Sequence, residues 1–247
     1  MRTEKVRIKS SKELFIEHME EMLLTNTLPP GQRLPSERDL AEETGVSRPV
    51  IHDALSELGA RGLISIRPRH GWIVNDFVKD GSLSILNSLY RFSSKTAAAQ
   101  IDADLEAIRR IVLTESLKNY FKRKAQNCAT FDLADKLHCI QKESEKKSVS
   151  KEVDIKAITE QDFLFYRTLI ESGGNVVFVL LFNSSKVLYH QKLETFFLRH
   201  PESILYAAEM KRELIDAIRG GKEKKALELI DRITSYSTYE KKRKPER

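Results

Sequence analysis

The sequence predicts a mainly α protein, an N-terminal winged helix-turn-helix followed by a C-terminal all-helical antiparallel bundle. Three observations predict it. Residues 33 to 74 spell a helix, a glycine turn, a second helix and a two-stranded hairpin in that order. From Gly81 onward, apolar residues recur at helical spacing almost without interruption. Between the two halves, Asn75-Asp76-Phe77-Val78-Lys79-Asp80-Gly81 reads as a short connector bounded by turn formers. The expected organisation is a winged helix-turn-helix domain at 1–76, a linker at 77–81, an all-helical domain at 82–240 and a basic tail at 241–247.

The first helix is announced by Ser10 with Glu13, a capping-box pair, ahead of Leu14, Ile16, Met19, Met22 and Leu23. Leu28-Pro29-Pro30-Gly31 breaks it. Ser36 then offers a side-chain acceptor to the orphan N–H groups of a second helix, with Glu37 and Asp39 opposing the dipole in its first turn. Gly45 supplies the positive φ of a sharp turn, and Val46 can plug the angle between helices. Ser47 is expected to cap the next helix, which tolerates Pro49 in its first turn. Val50, Ala54, Leu55 and Leu58 face inward there, leaving Ser47, Arg48, His52 and Asp53 outward or at the N-terminal end. Leu63–Ile66 and Trp72–Val74 are expected as strands, joined by Arg67, Pro68, Arg69, His70 and Gly71.

In a helix-turn-helix, the start of the second helix meets base edges and phosphates. Arg38, Arg48, Arg67 and Arg69 are the residues expected on DNA, because guanidinium can clamp phosphate oxygens or take guanine O6 and N7 bidentately. Ser47, Pro49 and His52 at the helix start, and His70 and Gly71 at the hairpin tip, complete that set. Any one of these arginines alone could be an ordinary solvated surface charge. Four of them on this scaffold weigh toward nucleic acid.

Bulk charge is a poor guide here. The chain of 247 residues carries a net +6, yet residues 1–80 hold 12 basic against 13 acidic side chains. The argument for DNA therefore rests on where arginines sit, with Arg2, Lys5, Arg7 and Lys9 as a candidate phosphate-touching arm. The run Lys241-Lys242-Arg243-Lys244 reads as a solvated tail. Cys128 and Cys139 lack Cys-x-x-Cys spacing and are expected as reduced, partly buried thiols. No apolar stretch reaches the length of a membrane span and the N-terminus lacks a signal-peptide core, so a cytoplasmic protein is expected. No Ser-His-Asp arrangement, phosphate loop, dinucleotide fingerprint or zinc-protease motif is present, which argues against an enzyme.

Beyond the connector, helices are expected at 82–92, 97–126, 130–147, 155–172, 176–199, 203–219 and 222–240, with Gly173-Gly174-Asn175 and Gly220-Gly221 as C-cap punctuation. A single winged helix covers only a few base pairs, so a homodimer on an inverted-repeat operator is expected.

The stretch Leu34-Pro35-Ser36-Glu37-Arg38-Asp39-Leu40-Ala41, followed by Gly45-Val46-Ser47-Arg48, an apolar helix and a wing, resembles the GntR family of bacterial transcription regulators. The all-helical C-terminal half is similar to the FadR subfamily. Gly81-Ser82-Leu83-Ser84-Ile85-Leu86, the segment Asp162 to Asn175, Leu188-Tyr189, and the region of Phe196, Phe197 and Pro201-Glu202 look like its fatty-acid-regulator branch. That resemblance implies a repressor of fatty acid metabolism released by a small-molecule effector, a long-chain acyl-CoA. It places Arg109 facing the CoA, with Arg167, Arg232 and Ser237 around the same cavity. Such a ligand needs an apolar tunnel and cations for its phosphates; Phe163, Phe165, Phe178, Phe182, Phe196 and Phe197 could line the tunnel or form ordinary core. Arg109 and Arg110 could equally sit on a solvated face or in a dimer salt bridge.

Another branch of the subfamily holds a divalent metal with an Asp and three His. Here those histidine positions are Tyr166, Lys211 and Ile233, none a neutral imidazole ligand, and His138, His190 and His200 are isolated, so no metal and no cofactor is expected. The tyrosine and tryptophan of the fatty-acid regulators' last helix correspond to Ile233 and Lys241, and Pro68 stands at their wing-tip histidine. A response to a different small organic acid, and a DNA-binding protein whose bundle only dimerises, are the alternatives.

Overall fold

The computed structural model describes residues 9–126, 133–148 and 153–234. Arg2, Lys5 and Arg7 of the expected arm, Cys128, Ser237 and the basic tail lie outside the described residues. The chain divides into two compact units, one through Gln100 and one from Ile101. Among the described residues no helix is long and apolar enough to cross a membrane.

In the first unit, helix α1 (Ser11–Leu24) begins at the expected capping box. The Ser10 N–H donates to Glu13 Oε2 at 2.8 Å and the Glu13 N–H to Ser10 Oγ at 3.2 Å. Helix α2 (Glu37–Thr44) opens on a second reciprocal pair, Ser36 with Asp39, and ends on Gly45 at φ 69°. Helix α3 (Arg48–Ala60) buries Ile51, Ala54, Leu55 and Leu58 completely. Ser47 stands at its N-cap but makes no side-chain cap bond, contrary to expectation. Pro49 at N2 removes one of the two N–H groups a cap hydroxyl can accept from, and the other, that of Val50 at N3, is not bonded by Ser47.

Strands β1 (Ile64–Arg67) and β2 (Gly71–Val74) pair antiparallel from Ile64 opposite Val74 to Arg67 opposite Gly71. The ladder thus takes in two residues expected in the loop and starts one residue after Leu63. Only Pro68, Arg69 and His70 connect the strands, with Arg69 at φ 65°. A third segment adds to the wing: the Leu34 N–H donates to Trp72 O at 2.9 Å, the Val74 N–H to Gln32 O at 2.9 Å, and Arg33 bridges Ile73.

Residues 77–92, expected as a linker and the first bundle helix, pack with this unit instead. Phe77–Asp80 forms a short helix α4 capped by Asp76, and a 3₁₀ turn at Leu83–Ile85 leads into α5 (Leu86–Phe92). Ile85 is buried in the core of α1 and α3, with Leu89 and Phe92 against it. A polar junction fixes the packing. Glu20 of α1, 3% exposed, accepts from Arg61 at the end of α3 at 2.5 Å and from Ser88 of α5 at 2.6 Å. Beside it, Gly62 at φ 83° passes so close that a Cβ would lie 2.0 Å from Asp80 O.

The second unit holds α6 (Lys95–Ala125, which crosses the unit boundary), α7 (Leu133–Ser148), α8 (Ile155–Ser172), α9 (Val176–Ser184), α10 (Lys186–Arg199), α11 (Ser203–Arg219) and α12 (Glu223–Thr234). Helix α8 packs against α7, α9 and α10, and α11 against α7 and α12. Its core runs from Leu113 and Leu117 of α6 through Leu133, Leu137, Leu169, Leu214 and Ile230. The single helix expected at 176–199 is two, broken at Ser185. Ser184 and Ser185 turn their hydroxyls onto the carbonyls of Leu180 and Phe182, which competes with helix continuation. Cys139 is a free thiol, exposed rather than partly buried.

Arg61 and Glu57 give a contrast that tests the junction. Arg61→Ala leaves the Glu20 carboxylate buried with Ser88 as its remaining partner, and the expected loss is about 3 kcal/mol. Glu57→Ala removes a carboxylate at the surface and should cost under about 1 kcal/mol. Urea unfolding followed by the emission of Trp72, the chain's single tryptophan and a member of this unit, reads both.

Candidate nucleic-acid interface

The first turn of α2, the start of α3 and the base of the wing converge on one side chain, Glu37. His52 Nδ1 lies 2.8 Å from Glu37 Oε1, Trp72 Nε1 donates to the same oxygen at 3.4 Å, and Arg48 Nε lies 3.8 Å from Oε2. Trp72 also packs over Gly59, where a Cβ would meet its ring at 3.2 Å. One carboxylate and one indole therefore hold the outward end of α3 in register with the hairpin.

The hydrogen bond from His52 is the first cause holding the Glu37 carboxyl below its ordinary value, and the same bond raises the His52 imidazole. Sequence reading assigned Glu37 only to the helix dipole and Trp72 only to a strand. Their meeting depends on a contact 35 residues apart in the chain, for which local patterning carries no signal.

Around this hub the expected DNA residues are presented outward. Ser47, Arg48, Pro49, His52, Arg67, Arg69 and His70 are all exposed, and Gly71 takes φ 75° where the hairpin re-enters its ladder. Arg48 and Arg38 have ion-pair partners, but at 3.7 to 3.8 Å and with 71% and 76% of their side chains exposed. Pairs of that length in water contribute little and yield readily to a phosphate. The hydroxyl of Ser47, not used as a cap, is a donor at the same helix end. Lys9 of the expected arm instead pairs with Glu17.

Of the expected effector residues, Arg109, Arg167 and Arg232 lie on three different helices of the second unit, and Ser237 is outside the described residues. Arg109 is half-buried: its Nη2 donates to the Thr234 carbonyl at 2.8 Å and its guanidinium lies 5.7 Å from the Tyr189 ring centre, so it ties α6 to α10 and α12. Arg167 pairs with Glu171 one turn along its own helix at 2.8 Å, and Arg232 is exposed on α12. Arg110 reaches Asp231 at 3.4 Å. Phe163, Phe165, Phe182 and Phe197 are buried core, with Phe163 stacked on Phe182 at 4.6 Å, and Phe178 and Phe196 pack against them. The aromatic stripe thus fills space in this conformation.

Next to it lies a buried polar triad. Asp162 accepts from the Tyr189 hydroxyl and from the Lys211 ammonium, and both charged side chains are almost fully buried. Lys211 also lies 5.1 and 5.6 Å from the rings of Phe165 and Tyr166. A pocket beside the pair, lined by Gln141, Ser144, Phe197 and Ile204 among others, has room for roughly one water molecule. Among the described residues no group of three His, Cys, Asp or Glu is placed to hold a metal ion. What stands against Asp162 is a lysine.

Comparison with known proteins agrees with both units. Residues 13–74 match the family of bacterial regulatory proteins called gntR, and residues 75–244 match the FadR C-terminal domain. The fatty acid metabolism regulator protein of Klebsiella pneumoniae is 27% identical over 217 residues, covering 87% of this chain and 84% of that protein. Its namesake from Vibrio cholerae is 24% identical, covering 91% and 90%. The regulator Mce2R of Mycobacterium tuberculosis is 29% identical, covering 78% and 76%. Among solved structures, Lar of Listeria monocytogenes has the same fold at a TM-score of 0.63 and 19% identity, covering 97% of this chain and all of that one.

The Glu37–His52 bond sets a pH window for the first unit. His52 is raised in the folded state, so its contribution is complete below the ordinary 6.5 and is lost as the pH climbs through the folded value. Glu37 is lowered, so its contribution is complete above the ordinary 4.5 and is lost as the pH falls through its folded value. Both are fully present between about 4.5 and 6.5. The midpoint of thermal unfolding read by Trp72 should fall between pH 6.5 and 8, and His52→Ala should flatten that slope; an unchanged slope in the variant would remove the pair as its cause.

Proposed function

The chain belongs to the GntR family of bacterial regulatory proteins, with the FadR-type C-terminal domain, and on that premise we propose that it is an operator-binding switch released from DNA by a long-chain acyl-CoA. It is a transcription regulator related to the fatty acid metabolism regulators, and not an enzyme. The observation that carries the DNA half is the convergence on Glu37 of an arginine-bearing helix start and the base of an arginine-tipped wing. Arg48 and its neighbours enter the major groove, while Arg67 and Arg69 follow the wing to the adjoining groove or backbone. Two copies on an inverted repeat multiply the specificity of one short half-site.

The effector half rests on the names of the relatives and on Arg109, a guanidinium set among three helices of the bundle. The phenylalanine layer beside it is closed, so an acyl chain enters by parting helices that are packed in the DNA-competent form. A ligand that binds the parted form better shifts the population away from DNA, and a few kcal/mol of differential affinity is enough. A second reading, a regulator of a smaller organic acid, draws on the water-sized pocket beside the Lys211 ammonium. The two readings separate in one titration.

Anisotropy of a labelled FadR-type palindrome at fixed salt is expected to show tight binding that long-chain acyl-CoA abolishes. Arg109→Ala should keep operator affinity and lose the response, whereas Arg48→Ala should weaken operator binding by about 1–3 kcal/mol with or without ligand. Binding that ignores acyl-CoA yet yields to a short organic acid would select the second reading; affinity that follows salt but not sequence would leave the bundle as a dimeriser only.

A further inference from the structure

Helix α9 is the most apolar helix among the described residues and one of the least covered. Its sequence, VVFVLLFNS, has no charged residue, in a chain where 32% of residues are charged. Of its nine residues only Phe182 is buried, stacked on Phe163 of α8. Val176, Val177, Leu180 and Leu181 are 67%, 57%, 59% and 37% exposed, and Val187 in the first turn of α10 continues the stripe at 52%. Positions 176, 177, 180 and 181 lie on one face at helical spacing. Exposed aliphatics on α6 differ, because Ile108 and Ile111 flank Arg109 and Arg110.

We propose that this α9 face is the seam of a homodimer, packed against the same face of a second copy about a two-fold axis near Leu180. The assignment rests on the reading of the chain as a two-fold operator-binding protein and names the surface that joins the copies. A two-fold contact sets a surface against itself, so any charge near the axis meets its own like. The α9 face is free of that penalty. Its five aliphatic side chains expose roughly 300 Å² together, within the range of the largest apolar patch on a typical monomer, which is often functional. Each copy of a standard interface contributes about 800 Å², so the stripe supplies an apolar core with a polar rim around it. Asn183 and Ser184 are exposed at the end of α9 and belong to that rim. A lipid surface fits less well: Lys186, the cation next to the stripe, is paired with Glu160 at 2.8 Å and is not presented to anionic headgroups.

Leu180 occupies the middle of the nine-residue helix, where a symmetric crossing brings it closest to its mate. Sedimentation velocity of the full chain without DNA should show a dimer at micromolar concentration. Leu180→Lys and Leu180→Glu should each weaken dimerisation by ~100-fold or more, since like charges then meet at the axis. An equimolar mixture of the two should recover the dimer as a Lys–Glu heterodimer, a result that a merely misfolded variant cannot give. Either variant sedimenting as the wild type does, a mixture that stays monomeric, or a monomeric wild type that floats with anionic vesicles would overturn the proposal. Wild-type binding to a single half-site, which needs one copy only, reports on the operator-binding reading independently.

Discussion

Each of the two units is organised about one buried carboxylate that cannot be left unpaired. A carboxylate in a low-dielectric interior costs several kcal/mol unless a cation and hydrogen bonds compensate it, so its partners are fixed in place as firmly as the core around them. In the first unit Glu20 of α1 collects Arg61 and Ser88, which joins α1 to the end of α3 and to α5. In the second, Asp162 collects Lys211 and Tyr189, which joins α8, α11 and α10. Apolar burial supplies most of the stability in both, but it is non-directional. The carboxylates select which packing of these helices is the native one.

This arrangement makes the DNA-reading surface a rigid body. The end of α3 is held through Arg61, and its start through the hydrogen bond between His52 and Glu37. The wing is fastened by Trp72 on one side and by the 32–34 segment on the other. Base readout demands this, because bidentate hydrogen bonds lose most of their value when a side chain is displaced by an ångström. The wing tip is different: Pro68, Arg69 and His70 are exposed, and Arg69 sits in a left-handed conformation uncommon for a bulky residue. A phosphate contact tolerates that latitude better than a base contact does.

How much of this was legible in the sequence follows from the range of each interaction. Caps and turns act over three or four residues, and the Ser10–Glu13 box, the Ser36 cap and the αL glycine at 45 all stand where local chemistry places them. Ser47 stands at the N-cap without a cap bond: the proline at N2 removes one donor, while the N3 donor of Val50 remains and goes unused by Ser47. The break at Ser185 follows from two consecutive serines competing for backbone carbonyls. The Glu37 hub, the attachment of residues 83–92 to the first unit and the Asp162–Lys211 pair span 15 to 68 residues. No periodicity encodes them. At the second position of the Asp162 pair the sequence shows only that a metal-ligating histidine is absent; that Lys211 turns inward onto Asp162 depends on a contact between α8 and α11, 49 residues apart in the chain.

The placement of charge explains why a protein with a strongly basic sequence carries a DNA-binding half that is slightly acidic. Residues 81–247 hold 30 basic and 23 acidic side chains, against 12 and 13 before them. Acidic residues in the first half are employed inside it: Glu13 and Asp39 cap helices, Glu20 and Glu57 hold Arg61, and Glu37 holds His52 and Arg48. They offset charge within the scaffold, and the arginines of the helix start and wing are among its outward positive groups. A uniformly basic domain would bind any phosphate backbone and pay in specificity. Confining positive charge to a few guanidiniums on a neutral scaffold keeps the sequence-independent electrostatic contribution small.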